Sequence, residues 1–188
     1  MKPWTILSSK RVMRDRFMGL RTDRCERDDG HIVEAYHVIE LTDWVTVIPL
    51  TDAGNIVLVR EYRHAAGVFT LGLPGGVSDP GEADWKAVGA RELREETGYT
   101  AREMHPIGTC YPNPATQDNR LHFYLAFGCT KTDGQSLDPN EQIEVVEMPY
   151  TEFLDYGQLE VQHALHAAGL FYAEQFLTRH PELRPEKG

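Results

Sequence analysis

Basic residues are in short supply here: 19 lysines and arginines stand against 29 aspartates and glutamates in 188 residues, a formal charge of −10. That balance argues against a broad basic surface for nucleic acid or anionic lipid. An anionic substrate would need a metal ion or local arginines to receive it. Cysteine is scarce as well. Cys25, Cys110 and Cys129 are odd in number, well separated and outside any CxxC pair. This speaks against a disulfide framework or a zinc site and fits a reducing cytoplasm. No apolar run approaches the ~20 residues of a membrane span. The start, MKPWTILSSKR, lacks the apolar stretch of a signal peptide, so the expected location is cytoplasmic. There is no repeat, low-complexity linker, GxSxG elbow or P-loop.

A hydrophobic fraction of 41% is enough for a core, and the length suits one domain, or one domain with an arm. Residues 4–7 and roughly 11–21 read as short strands, followed by a polar turn at 26–31. Residues 31–40 alternate as a half-buried strand does. WVTVIPL (44–50), the turn at 51–55 and IVLVREY (56–62) read as a hairpin. VFTLGLPGG ends in a Pro-Gly-Gly breaker. A helix follows, with Asp84 as N-cap and Gly98 as its stop. Strands are expected at MHPIGTCY, 120–129 and 142–149, with the turn-rich YPNPATQDN (111–119) between the first two. Cys110 and Cys129 are expected in those strands as small core residues. YTEFLDYG and residues 160–179 read as helices, and the tail from 180 as frayed. The predicted fold is α/β, a mixed sheet with helices on both faces. An N-terminal β arm (1–42) precedes the main domain (43–180) and a tail (181–188).

The helix after the glycine turn carries the chemical signal. At ~100° per residue, Glu92, Glu95 and Glu96 fall within a ~100° arc. Ala87, Ala90, Leu93 and Thr97 lie on the other side, where they could pack on a sheet. Arg91 stands four residues before Glu95, a pairing distance. Three carboxylates near a helix C-terminus repel one another and oppose the helix dipole. A solvated acidic face is the plain reading of such spacing. A hard divalent cation would reverse the sign of the energy, because Mg²⁺ accepts a few carboxylates and completes its shell with water and substrate phosphate.

Gly76-x5-Glu82 followed by Arg91-Glu92-Leu93-x-Glu95-Glu96-x-Gly98-Tyr99 resembles the Nudix box, G-x5-E-x7-R-E-U-x-E-E-x-G-U with U a bulky apolar residue. The second half matches at every defined position. Eight residues rather than seven separate Glu82 from Arg91, which puts the supporting role of Glu82 in question and predicts a bulge near EAD, before the helix. The resemblance, which spans roughly residues 4–177, implies a Nudix α/β/α sandwich with a mixed sheet. Glu92, Glu95, Glu96 and the main-chain carbonyl of Gly75 would be ligands of Mg²⁺, with Mn²⁺ as a substitute. Arg91 would orient a carboxylate, and Gly76, Glu82 and Gly98 would support the motif. The implied reaction is water attack on the diphosphate of a nucleoside diphosphate linked to another moiety.

Two further stretches resemble the ADP-ribose pyrophosphatase branch. Pro114 lies fifteen residues after Tyr99, in a loop where Asn113 and Ala115 replace the usual Ser and Gly of that branch. VLVREYRHAAGVFTLGLPGG resembles the branch's approach to the box. There Arg63, with Arg60 beside it, would grip substrate phosphate. Each of these residues also has an ordinary reading, as turn proline or surface arginine. The branch implies a homodimer built through the N-terminal arm, with an aromatic residue stacking on the base. Phe17 is the candidate, ahead of Tyr36 and Trp44. The base that activates water would come from SLDPNEQIEVVEMP, as Glu141 or, second, Glu144. His163 and His166 stand three apart on the last helix but lack an acidic partner pattern, so packing or surface roles are expected. ADP-ribose, split into AMP and ribose 5-phosphate, is the expected substrate. GDP-mannose or broad NDP-sugar hydrolysis is the alternative, and a non-catalytic nucleotide sensor or a purely structural dimerisation protein are readings from other classes.

Overall fold

The computed structural model describes residues 1–78, 82–155 and 163–185. The chain divides into two compact units, Met1–Asp43 with Tyr111–Arg120, and Trp44–Cys110 with Leu121–Gly188.

In the first unit β1 (Thr5–Arg14), β2 (Met18–Glu26) and β3 (Ile32–Leu41) form an antiparallel sheet in that order. The expected single strand over 11–21 is broken by a turn. Asp15 accepts hydrogen bonds from the N–H groups of Phe17 and Met18, both at 2.8 Å, and so reverses the chain. Strand β1 is exposed along its whole length. Residues 111–120 are tied to β3. Tyr36 Oη donates to the Ala115 carbonyl at 2.6 Å, Ile39 N donates to the Thr116 carbonyl at 2.7 Å, and Leu41 N donates to Asp118 Oδ1 at 3.1 Å.

The second unit contains β4 (Trp44–Pro49), β5 (Asn55–Arg63), β6 (Val68–Gly72), β7 (Gly75–Val77), α1 (Trp85–Thr97), β8 (Tyr99–Thr100), β9 (Glu103–Cys110), β10 (Leu121–Phe127), β11 (Thr130–Lys131), β12 (Ile143–Pro149), α2 (Tyr150–Asp155) and α3 (Ala164–Arg179). One sheet has the order β7-β4-β10-β9, and another β12-β5-β6. The first is mixed, because β4 runs parallel to β10 and antiparallel to β7. The predicted 44–62 hairpin does not form. β4 and β5 enter different sheets and meet at an isolated bridge between Leu50 and Ile56. The apolar run of β4 explains this, since five of its six residues are buried and both of its faces need cover. Val47 joins one core with Leu93 of α1, while Ile48 joins the other with Leu170, Ala173 and Leu177 of α3. Helices α1 and α3 both pack on β4 and β10. The result is the expected α/β sandwich.

Helix α1 begins and ends as its sequence predicts. Asp84 accepts from Lys86 N at 3.0 Å and Ala87 N at 3.2 Å, and Gly98 sits at φ 76° with its N–H on the Arg94 carbonyl. Its buried face differs from the wheel. Val88, Gly89, Leu93, Glu96 and Thr97 are buried, whereas Ala87 and Ala90 are exposed. Cys110 is half-buried in β9, but Cys129 lies buried just after β10 rather than in a strand. The predicted last helix starts at Ala164; residues 160–162, and 156–157 of the preceding helix, lie outside the described residues. The tail is anchored rather than frayed as far as 184. Pro181–Leu183 form a 3₁₀ turn, and Arg184 Nη2 pairs with Glu174 Oε2 at 3.0 Å. Among the described residues no helix is long and apolar enough to cross a membrane.

Candidate active site

The Pro74-Gly75-Gly76 turn brings main chain against α1. Gly75 N donates to Glu96 Oε2 at 2.9 Å. A Cβ on Gly76 would stand 2.6 Å from the Glu92 carboxylate, so a side chain there would displace it. Glu96 is buried, and Glu92 nearly so. Burial pushes the Glu92 pKa up to about 7; Glu95 and Glu141 add to the rise, and Arg91 opposes it. Glu96 is raised well above the carboxylate range. Burial is the main cause, and Glu92, Glu61 and Glu141 contribute, against the Gly75 N–H.

Arg91 is the counter-charge. Its Nη1 lies 2.9 Å from Glu95 Oε2 and 3.1 Å from Glu92 Oε1, and its Nη2 lies 3.2 Å from the Val77 carbonyl and 3.3 Å from Glu82 Oε2. Burial works against the Arg91 charge, but Glu92, Glu95 and Glu82 together hold its pKa above the usual arginine value. Glu82 therefore reaches the motif arginine despite the extra residue between them. Residues 82–84, where the bulge is expected, have no regular secondary structure and lead directly into α1 at Trp85.

The donor set suits a hard divalent cation: carboxylate oxygens, two of them on groups that burial and neighbouring charge make costly to ionise, beside a glycine main chain. It is not pre-assembled. Glu95 is turned to Arg91, and among the described residues no three acidic, histidine or cysteine side chains already converge to hold an ion.

Of the two base candidates, Glu141 acts electrostatically on Glu92 and Glu96. Its Oε2 accepts from the Asp138 N–H at 2.9 Å. Glu144 instead lies 3.8 Å from Arg60 Nη1, and both line an open pocket of about 500 Å³ with Tyr62 and Phe69. Two residues that the sequence reading overlooked belong to the site. Gln135 Nε2 donates to the Glu96 carbonyl at 2.7 Å and the Ile143 carbonyl at 3.1 Å, tying α1 to the start of β12 beside Glu141. Glu61 forms an ion pair with Arg63, and its pKa is raised by burial. In β5, Ile56–Val59 are buried on both faces, and from Arg60 the strand alternates, with Arg60 and Tyr62 exposed and Glu61 and Arg63 half-buried on the face of Val57 and Val59.

Phe17 and Pro114 lie exposed in the first unit, Phe17 with the Arg16 guanidinium 4.6 Å from its ring. Tyr36 is held by Ala115 and packs edge-on to Trp4, and Trp44 packs against the core. His166 is buried as expected. His163 is the N-cap of α3, accepting from Leu165 N at 3.2 Å.

The comparisons with known proteins agree with this geometry. Residues 41–169 match the NUDIX domain, and residues 4–39 match the nucleoside diphosphate sugar hydrolase N-terminal domain. The chain is 28% identical over 151 residues to a methanol dehydrogenase activator of Bacillus methanolicus, covering 80% of each chain. It is 31% identical over 144 residues to an ADP-ribose pyrophosphatase of Bacillus subtilis (strain 168), covering 76% of each. The fold matches the crystal structure of an ADP compounds hydrolase with a TM-score of 0.81 at 23% identity, over 96% of this chain and 97% of that one. A box that matches in sequence, a glycine turn that packs against its Glu92 and Glu96, and a family match across most of the chain lead to one conclusion: this protein is a member of the Nudix hydrolase family.

Proposed function

We propose that the protein hydrolyses the diphosphate of a nucleoside diphosphate sugar with Mg²⁺, and that ADP-ribose is its main substrate, yielding AMP and ribose 5-phosphate. The observation that carries this reading is the buried Glu92–Glu96 pair beside Gly75, two acidic groups held together where burial makes their charge costly unless a cation offsets it. Glu92, Glu95, Glu96 and the Gly75 carbonyl would hold the cation. When bound, it supplies charge neutralisation for the diphosphate and activation of water; Mn²⁺ would serve in its place. Glu95 must leave Arg91 to take part, and Glu82 then keeps the guanidinium in place. Arg63 grips substrate phosphate and Arg60 adds positive charge nearby. Glu141 takes the proton of the attacking water, ahead of Glu144 because of its electrostatic coupling to Glu92 and Glu96. A new P–O bond forms as the bridging P–O bond breaks, and the leaving phosphate carries away the electron pair.

Phe17 would stack on the base, and Pro114 would shape the substrate loop. The exposed apolar groups of the arm, Trp4, Ile6, Leu7, Val12 and Met13, support a homodimer formed through β1. The B. subtilis relative favours ADP-ribose. Asn113 and Ala115 beside Pro114 leave room for a second reading, GDP-mannose or a broad range of NDP-sugars.

Chromatography of products from ADP-ribose, GDP-mannose and UDP-glucose with Mg²⁺ tests the proposal, with Glu96→Gln as control. Dominant AMP and ribose 5-phosphate supports the ADP-ribose reading. Preferred cleavage of GDP-mannose moves the specificity and keeps the chemistry. Ligand binding without cleavage would favour a sensor.

A further inference from the structure

Arg63 is the phosphate-binding group of the proposed reaction, and the residues around it have roles that no resemblance supplies. One Nη of its guanidinium is held by the Glu61 carboxylate. Its Nε is buried and has no hydrogen-bond partner among the described residues. Thr70, the cross-strand neighbour of Glu61, is buried, and its Oγ1 has no hydrogen-bond partner among the described residues. The Arg63 charge also acts on His163 and His166, whose rings are 4.7 Å apart and stacked. His166 is buried, its Nδ1 has no partner among the described residues, and its ring occupies the space that a Cβ on Gly72 would fill. Burial lowers the pKa of both imidazoles; Arg63 adds to this for His163, and the His163 ring and then Arg63 add to it for His166.

Glu61 is also the link to the acid cluster. Its charge acts on Glu96, and that of Glu141 acts on Glu61. Arg63 is joined to this cluster through Glu61; an arginine not held in this way could collapse onto another carboxylate, and a guanidinium so neutralised would be lost to an incoming anion. A carboxylate two residues away on the same strand prevents this by holding one Nη and leaving the rest of the donor fork available.

The geometry points to Glu61 as a positioning residue for the substrate diphosphate: its carboxylate holds the Arg63 guanidinium through one Nη and fixes where the rest of the donor fork stands. This rests on the reading of Arg63 as the phosphate-binding group. It adds that binding of the diphosphate depends on a carboxylate which itself touches neither metal nor substrate.

The test is a double-mutant cycle of Glu61→Gln and Arg63→Ala, read in two ways. With the nucleoside diphosphate sugar that is cleaved best, Glu61→Gln should raise KM roughly tenfold, the scale of one charge-assisted hydrogen bond, and leave kcat within about threefold. Glu61→Asp should recover part of the loss. The double variant should bind no worse than Arg63→Ala alone, because both changes remove one unit. The second reading is calorimetric binding of inorganic pyrophosphate in Mg²⁺, which requires no turnover. Both single variants should weaken it by a similar factor, whether or not a nucleoside diphosphate sugar is cleaved, so a wrong substrate assignment does not hide the result. A fall in kcat at unchanged KM, additive losses in the cycle, a lowered KM, or pyrophosphate affinity unchanged in Glu61→Gln would each overturn the role of Glu61.

Discussion

The glutamates of α1 are individually unfavourable, and their cost has a measurable sign. The Glu92 pKa is about 7 in the folded protein against an ordinary 4.5. A carboxyl whose pKa is raised by folding binds its proton more tightly in the native state. Its stabilising contribution is therefore full below about 4.5 and is lost as pH rises through 7, at about 1.4 kcal/mol per unit. In EDTA, the wild type should lose stability between pH 5 and 7.5 relative to Glu92→Gln, as followed by thermal melts of the two proteins side by side. Mg²⁺ should restore the wild type at pH 7.5 and leave Glu92→Gln little changed. Equal pH slopes for the two proteins would mean that Glu92 ionises freely.

The elements show which parts of the fold can be read from local sequence. Helix α1 is fixed by local chemistry, with a capping aspartate, a glycine stop and a motif in register, and both of its ends fall where expected. Gly98 does more than stop the helix. Its carbonyl accepts from Thr132 N at 2.9 Å and Asp133 N at 3.1 Å, and a Cβ there would meet the Asp133 carbonyl oxygen. Ser136 N then reaches the Glu95 carbonyl at 2.8 Å, so this segment leads the chain from α1 toward Glu141. Gly98→Ala combines a left-handed backbone with a steric clash and should cost at least about 1 kcal/mol. Denaturant melts would measure that cost, and activity should fall with it because the 132–136 segment must shift. An unchanged midpoint would show that the segment adjusts freely.

The 44–62 hairpin failed for the opposite reason. Adjacent apolar runs with a good turn between them suggest pairing, but the partner of β4 is β10, about 75 residues later in the chain (Trp44 beside Leu121), and no local pattern encodes that distance. Glu61 lies outside the box, and the continuous apolar run that precedes it, Ile56–Val59, gives no alternation that would assign it a face. The position of Glu96 on the buried face was likewise out of reach of a wheel that sorts residues by polarity, since its burial depends on the Gly75 N–H from another element.

At the scale of the whole molecule, charge is unevenly spread. The arm, residues 1–42, carries Lys2, Lys10, Arg11, Arg14, Arg16, Arg21, Arg24 and Arg27 against Asp15, Asp23, Glu26, Asp28, Asp29, Glu34 and Glu40, close to neutrality in a chain whose total is −10. A nearly neutral arm with an exposed strand that carries apolar groups, on an otherwise acidic protein, suits association between copies of this chain. Light scattering should report a dimer, and Ile6→Lys/Val12→Lys should shift it to monomer and raise KM if Phe17 serves the partner's site. A wild-type monomer would remove the shared-site idea and leave the acid cluster untouched.

The central claim is that Glu92 and Glu96 hold the cation that drives hydrolysis. The most direct measurement is the rate of AMP release from ADP-ribose as Mg²⁺ is titrated, for the wild type and for Glu92→Gln/Glu96→Gln, with folding of both checked by circular dichroism. The wild type should show saturable Mg²⁺ dependence and no turnover in EDTA, and the double variant should lose at least about a hundredfold in kcat, the scale of removing a preorganised charge-stabilising group. Full turnover by the double variant, or by the wild type in EDTA, would contradict the account.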